Sequence, residues 1–523
     1  MRDPLASAAD PSPSTAGVGF QSVSESRRLL EQGSTTSVEL VETLLSRIAE
    51  VDAGQKPLRS VIAVCPDAVT MTAALDAERA RGDVRGPLHG IPVLVKDNID
   101  TTGGEGTTAG SLALAMSRPL RDAVVVQRLR AAGAIVLAKT NLSEWANFRA
   151  RHSSSGWSAV GGQCVNPHAL NRSPGGSSSG SGAGVAAGLA PISVGTETDG
   201  SILCPAALNG VVGIKPTVGL TSRSGVVPIS SSQDTVGPFA RSVADAADLL
   251  GVLAGGGAGL DALDDATAKR PDHLPADYSV FCDLSGLSGA RIGVARQRYF
   301  GNSEKADEIV EAVLRVASEA GAVIVDPVDV ATAEVIAHSG DEMTVLLHEF
   351  KAGVEAYLAT RPVVEDQPRN LSELIEFNET HAAGELGIFG QDVFIAAAAA
   401  GGLDNPVYLQ ARERNWRRAR QEGIEAAIDN AGVDVLAYPT MGPAWCIDHV
   451  NGDSHTRAGY QVPAVAGYPA INLPVGKAAG LPIGLCLVAG AWSEPTLIRI
   501  AFALEQALAL GTSLRPGWLP RID

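Results

Sequence analysis

The chain has 523 residues, 45% hydrophobic and 19% charged, which is ample material for a large core and excludes global disorder. Its formal charge of -17 is spread without an acidic block, and no Lys/Arg cluster is long enough to follow a phosphate backbone, so nucleic acid is not an expected partner. No stretch approaches the ~18 consecutive apolar residues of a membrane span. The six cysteines form no C-x-x-C pair and so signal neither a zinc site nor a disulfide framework.

Residues 1–19 are rich in Ala, Pro and Ser, lack an apolar run of signal-peptide length and read as a loose tail; a cytoplasmic protein is expected. Thr36 with Glu39 forms a capping box ahead of Val41, Leu44, Leu45 and Ile48, an amphipathic helix. A strand over Ser60–Val64 and a helix over Ala68–Arg81 follow, then a punctuated segment leads into the apolar strand Ile91–Val95 with Lys96 directly after it. Strand ends are where α/β proteins place their chemistry, although an isolated lysine there is more often solvated. The helix Ala123–Ala132 and the buried strand Ala134–Ala138 continue the alternation. Trp145, Phe148 and Trp157 then stand on loops among Ser153, Ser154 and Ser155, where they either wall a substrate pocket or pack beneath the loop.

The stretch Arg172–Ala206 holds glycines and serines at both ends of an apolar middle. Composition alone suggests a linker. The spacing of Val185, Ala186, Ala187, Leu189, Ile192 and Val194 instead predicts a short buried helix and a buried strand. Beyond it lie turn-dense segments, a helix over Val243–Leu253 and a Gly/Ala/Asp-rich, linker-like segment at 255–276. A strand from Arg291, the helix Glu304–Glu319 and a strand Ala322–Val325 resume the α/β pattern. Residues 338–430 read as a helical insertion able to shape a substrate pocket, ending in one long helix Tyr408–Asn430. Strands Val433–Tyr438, Pro463–Pro474 and Leu481–Val488 and a helix Thr496–Leu508 close the chain.

Ser201 offers a nucleophile, but none of the nine histidines stands where it recommends itself as its base, and G-x-S-x-G is absent around it. A lysine can serve if burial lowers its pKa from ~10.4 toward ~7 to 8, which requires a buried amine among hydroxyls or carbonyls. Val95-Lys96-Asp97-Asn98, the turn Gly175-Gly176-Ser177-Ser178-Ser179-Gly180, and Gly195-Thr-Glu-Thr-Asp-Gly-Ser201 with Pro205-Ala206 resemble the amidase signature family. The 24 residues from Ser177 to Ser201 agree with that family's spacing, and the likeness runs from the helix near Thr36 to the last helix.

This resemblance implies a single α/β domain over 20–523, with a central mixed, twisted β-sheet flanked by helices. It implies a Ser-Ser-Lys triad of nucleophile Ser201, bridging Ser177 on a cis peptide bond, and base Lys96. An oxyanion hole would come from the backbone N–H groups of Thr198, Asp199, Gly200 and Ser201. Asp199 stands where most of the family has glycine, and aspartate is among the few residues that tolerate positive φ. Glu-Thr-Asp-Gly-Ser, together with Asn141–Phe148 and Ser154–Ser158, resembles the peptide amidase branch. The expected reaction is release of ammonia from a primary carboxamide, with the C-terminal amide of peptides as substrate. Ser154, Ser155, Trp157 and Ser178 are the candidate substrate contacts. A small-amide or anilide amidase and the glutaminase subunit of a tRNA-dependent amidotransferase are the alternatives; Leu203-Cys204, in place of the Arg-Gln expected there, argues against the latter. No metal, cofactor or membrane is expected, and the protein should be a monomer or homodimer.

Overall fold

The computed structural model describes residues 17–256, 259–454 and 458–517. Most of the tail read at 1–19 therefore lies outside the described residues. Eleven strands form one mixed sheet: β1 (Val61–Val64), β2 (Pro92–Lys96), β3 (Ile135–Thr140), β6 (Ile192–Glu197), β7 (Val212–Lys215), β8 (Thr235–Ala240), β9 (Arg291–Val294), β10 (Val323–Val325), β11 (Val435–Pro439), β12 (Ala470–Ala478) and β13 (Leu481–Val488). Their order is β1-β3-β2-β6-β8-β7-β12-β13-β11-β9-β10. A separate hairpin pairs β4 (Trp157–Ser158) with β5 (Gly162–Gln163).

β2 pairs in parallel with β3 and β6, so the three strands run side by side and present their C-terminal ends together. Parallel strands covered by helices are apolar on both faces, which explains the continuous apolar run of Ile91–Val95. Along β2, Val93 and Val95 pack with the helices Val124–Ala131 and Val243–Ala254, whereas Leu94 turns to Val41, Leu44 and Leu75 on the other side. This period of two is that of a strand buried on both faces. Farther along, β12 and β13 contribute Ile471, Leu473, Leu485 and Leu487 to the same core, closed by the helices Glu304–Glu319 and Glu494–Leu508.

Two elements depart from expectation. The segment Pro463–Pro474, expected as one strand, begins as the helix Gln461–Ala466, which Gly467 terminates at φ 70°, and only then becomes β12. The helix expected over Tyr408–Asn430 is interrupted by a π-helical segment, Arg420–Glu425, between Pro406–Ala419 and Ala426–Ala431. Single π-type turns inside helices are a common cause of such breaks. In the segment 255–276, Asp264 is buried and ion-paired with Arg223, and Ala266 and Thr267 are buried, so these residues anchor the segment to the body of the protein, while Leu260 and Leu263 stay exposed.

Candidate active site

Lys96 is the last residue of β2 and is wholly buried. Its Nζ donates to Ser177 Oγ at 2.7 Å and to Thr196 Oγ1 at 2.8 Å. Burial lowers its pKa from 10.5 to about 7, against the opposing pull of Asp234 and Glu197. An amine so placed exists as a mixture of ammonium and free base at neutral pH, which is the condition for a general base.

Ser177 follows a cis peptide bond from Gly176, and its carbonyl accepts from the Ser143 N–H at 3.1 Å. The Gly/Ser-rich run after it is a buried helix, Ser179–Ala186, followed by β6. Its small residues are explained by contact: a Cβ at Gly180 would collide with the backbone of Ser60 and Asn141. Ser178 Oγ donates to the Thr196 carbonyl at 3.0 Å and accepts from the Thr196 N–H at 3.2 Å, while its own N–H donates to Ser201 O at 3.2 Å. Ser178 therefore ties the turn that carries Ser177 to the end of β6 and to the nucleophile's backbone.

β6 delivers the loop 198–202 and the helix Leu203–Asn209. Glu197 Oε2 accepts from the N–H groups of Ile202 (2.7 Å) and Leu203 (2.9 Å), satisfying the free donors at that helix start. Ser201 is 6% exposed, and its hydroxyl has no hydrogen-bond partner among the described residues. Thr198 is anchored twice: its Oγ1 donates to Asp234 Oδ1 at 2.6 Å, and its carbonyl accepts from Gln233 Nε2 at 3.2 Å. The positive φ of this loop falls on Gly200 (80°) and not on Asp199, contrary to the tolerance argued from the aspartate. A Cβ at Gly200 would also overlap the Tyr460 ring. Asp199 instead has a buried Oδ1 without a partner among the described residues, and burial with Glu342 and Glu197 nearby holds its carboxyl well above the usual range.

The family model for amidases matches residues 39–498. The chain belongs to the amidase family. Among solved structures, it is 48% identical to the native peptide amidase from Stenotrophomonas maltophilia, with a TM-score of 0.88 and coverage of 94% of this chain and 97% of that one. An amidase-named protein of Schizosaccharomyces pombe is 38% identical over 93% of this chain and 85% of its own length. A glutamyl-tRNA(Gln) amidotransferase component from Halorhodospira halophila is 35% identical over 93% and 97% respectively. This amidase is thus an amide-hydrolysing enzyme.

The other candidates on its loops are held in protein contacts. Ser154 Oγ donates to Gln163 Oε1 at 3.2 Å, and Ser155 donates through both N–H and Oγ to Asp453. Trp157 is 8% exposed and packs edge-on against Phe389, with the Arg149 guanidinium over its ring. Ser155 keeps a link to the centre, because a Cβ on Gly176 would crowd its hydroxyl and that of Ser143. Among the cavities, one of ≈ 710 Å³ is bordered by Arg223, Asp234, Glu349, Tyr357 and Arg361 but by no member of the triad.

Four residues of the centre carry no role in the sequence reading: Thr196, Asn98, Asp234 and Tyr460. Thr196 and Asn98 lie inside the quoted strings, so their neighbourhood was legible. Nothing in the Ser-rich run before Asp234, or around Tyr460, marks either as a neighbour of a loop that is remote in sequence from Tyr460. Among the described residues, no group of His, Cys, Asp and Glu could hold a metal ion, and no helix is long and apolar enough to cross a membrane.

Proposed function

We propose that this amidase releases ammonia from the C-terminal carboxamide of peptides through an acyl-Ser201 intermediate. The observation that carries the mechanism is the 2.7 Å contact from a wholly buried Lys96 to Ser177 Oγ. In this reading Ser201 Oγ attacks the carboxamide carbon, and its proton passes through Ser177 to Lys96. The negative oxygen of the tetrahedral intermediate is met by the N–H groups of the loop 198–201, the kind of preorganised donor set that stabilises charge only as it develops. Collapse breaks the C–N bond while the proton stored on Lys96 returns to the nitrogen, which leaves as ammonia. Water then attacks the ester carbon, gives its proton up the same relay, and the peptide acid departs as Ser201 regains its proton.

The peptide amide as substrate is supported by the 48% identity to the Stenotrophomonas maltophilia peptide amidase. The helix Asp341–Thr360 supports a shaping role for 338–430, since Glu342 accepts from Gln233 and Gln461 beside the oxyanion loop. The test pairs Ser201→Ala with a panel of peptide amides, peptide acids, anilides and glutamine. Ammonia release from peptide amides that disappears in Ser201→Ala is the expected result. Retained activity in that variant would overturn the mechanism, and preference for anilides or glutamine would overturn the substrate.

A further inference from the structure

Apart from the triad, a cavity of ≈ 320 Å³ lies between the helix Pro406–Ala419, the residues just ahead of β12 and the segment 255–276. Small-molecule sites begin at about that size, roughly 300 Å³. Its walls include Lys269, Arg412, Trp416, Arg420, Tyr468 and Trp492, and hold no residue of the triad or of the loop 198–201. Three cations around one cavity run against the trend of a chain whose formal charge is -17, and no aspartate or glutamate is among the residues that line it.

Helix spacing brings the two arginines together. Tyr408, Arg412, Trp416 and Arg420 succeed one another at intervals of four along the helix and into its π-helical continuation, the spacing that stacks side chains on one face. Arg412 stands over the rings of Tyr408 and Trp416, at 5.1 and 5.0 Å, and Arg420 over those of Trp416 and Tyr468, at 4.7 and 5.7 Å. A ring face attracts a guanidinium and leaves its N–H fork available to oxygen. Arg412 donates to the Tyr408 hydroxyl at 2.9 Å, and Arg420 donates through Nε to the Ala466 carbonyl at 2.7 Å, which leaves most of the five N–H donors of each guanidinium unused. Neither arginine is ion-paired among the described residues, and Lys269, which ends the short helix Asp265–Lys269, has neither a hydrogen bond nor an ion pair there. The neighbouring acids are occupied: Glu349 accepts from Ser232 Oγ and the Tyr408 hydroxyl, at 2.5 and 2.7 Å, and Glu425 accepts from the Tyr468 hydroxyl. Burial lowers the pKa of Arg420, against the pull of Tyr468 and Glu425, so the fold keeps a cation here that it does not neutralise.

We propose that this cavity binds a small organic oxyanion of at least two negative charges, a phosphate ester or a polycarboxylate, through Arg412, Arg420 and Lys269. Such an oxyanion accepts equally from planar guanidinium forks and from an ammonium group. The rest of the cavity, walled by Tyr468 and Trp492, takes its organic part. The site is separate from amide hydrolysis and does not depend on the roles given to Ser201 and Lys96.

Calorimetric titration of the full chain with phenyl phosphate and with citrate, in chloride buffer at constant ionic strength, tests the proposal. One-to-one binding of at least one of them is expected, with the same affinity in Ser201→Ala. Binding of phenyl phosphate alone assigns the site to phosphate esters, and binding of citrate alone assigns it to polycarboxylates. Lys269→Glu reverses an exposed charge outside the packed core, so folding is not at stake; it should weaken binding by about tenfold or more, and Arg412→Gln combined with Arg420→Gln by about a hundredfold. No binding of either compound, binding that Lys269→Glu and the double variant leave undiminished, or binding that vanishes in Ser201→Ala would each overturn the proposal.

Discussion

Replacing Lys96 by methionine, a side chain of similar length without charge, measures what the fold gives up to keep a base in its interior. Burial takes the Lys96 pKa from 10.5 to about 7. Between those two pH values the unfolded chain binds a proton that the folded chain does not, so stability rises with pH across that window. Below about pH 7 both states bind it, and the folded state bears the whole penalty. At about 1.4 kcal/mol per pH unit, the interval corresponds to about 5 kcal/mol. Two hydroxyls, Ser177 and Thr196, lose their partner in the variant, which subtracts about 1–3 kcal/mol. Lys96→Met should therefore be inactive, yet at pH 6 more stable to urea than the parent by on the order of 2–4 kcal/mol. Its advantage should shrink steadily above pH 7, vanish before pH 10.5 and turn into a deficit of about 1–3 kcal/mol above that, where only the loss of the two hydroxyl contacts remains. Other titrating groups largely cancel, because the comparison is between two proteins at the same pH. Urea midpoints at pH 6, 8 and 10 supply the measurement. A variant less stable at pH 6, or a difference that does not change with pH, would refute the account of burial as the origin of the base.

Two further outcomes follow from the packing. Gly200→Ala places a Cβ against the Tyr460 ring at a residue with φ 80°, so the loop must shift and misplace its N–H groups; kcat should fall by about 10²–10³ with circular dichroism unchanged, and near-parental kcat would exclude the loop from oxyanion binding. Arg149 is buried between Glu144 and Glu385 and paired with both; Arg149→Met leaves the two carboxyls without their cation and should lower stability by about 3–5 kcal/mol, a result contradicted if the urea midpoint hardly moves.

The strands that carry the site were legible because each is an apolar run with a chemical residue at its end: Ile91–Val95 before Lys96, and Ile192 and Val194 before the nucleophile loop. The buried middle of Arg172–Ala206 was readable for the same reason, since its apolar positions fit a packed helix and strand better than a solvated linker. Local pattern was insufficient where the partner is distant in sequence. Tyr460 matters because it covers Gly200, and Asp234 because it holds Thr198; neither relation leaves a periodicity. Ser154, Ser155 and Trp157 show the converse. Their clustering near an aromatic loop suggested substrate contact, whereas the structure engages them with Gln163, Asp453 and Phe389. At Asp199, residue type suggested a backbone role, but the conformational demand is met one position later by glycine.

Burial and a lowered pKa do not by themselves identify the base. Three lysines, Lys96, Lys139 and Lys215, are wholly buried at or near the ends of β2, β3 and β7. Burial lowers the pKa of all three, that of Lys215 to about 8. Lys139 lies 3.5 Å from the Asp97 carboxylate, a neighbour that favours the ammonium form. Lys215 Nζ donates to the Tyr468 and Pro216 carbonyls, at 2.7 and 3.3 Å, and carbonyl oxygens carry no proton to exchange. Lys139 also reaches the hydroxyls of Thr107 and Thr101, at 2.9 and 3.3 Å, but Lys96 alone combines two short hydroxyl contacts, with the Thr196 carbonyl farther off at 3.5 Å, and carboxylates, Glu197 and Asp234, that act only at a distance. A buried lysine becomes a base when its neighbours can hand it a proton and none of them holds it permanently charged, and of these three only Lys96 meets both conditions.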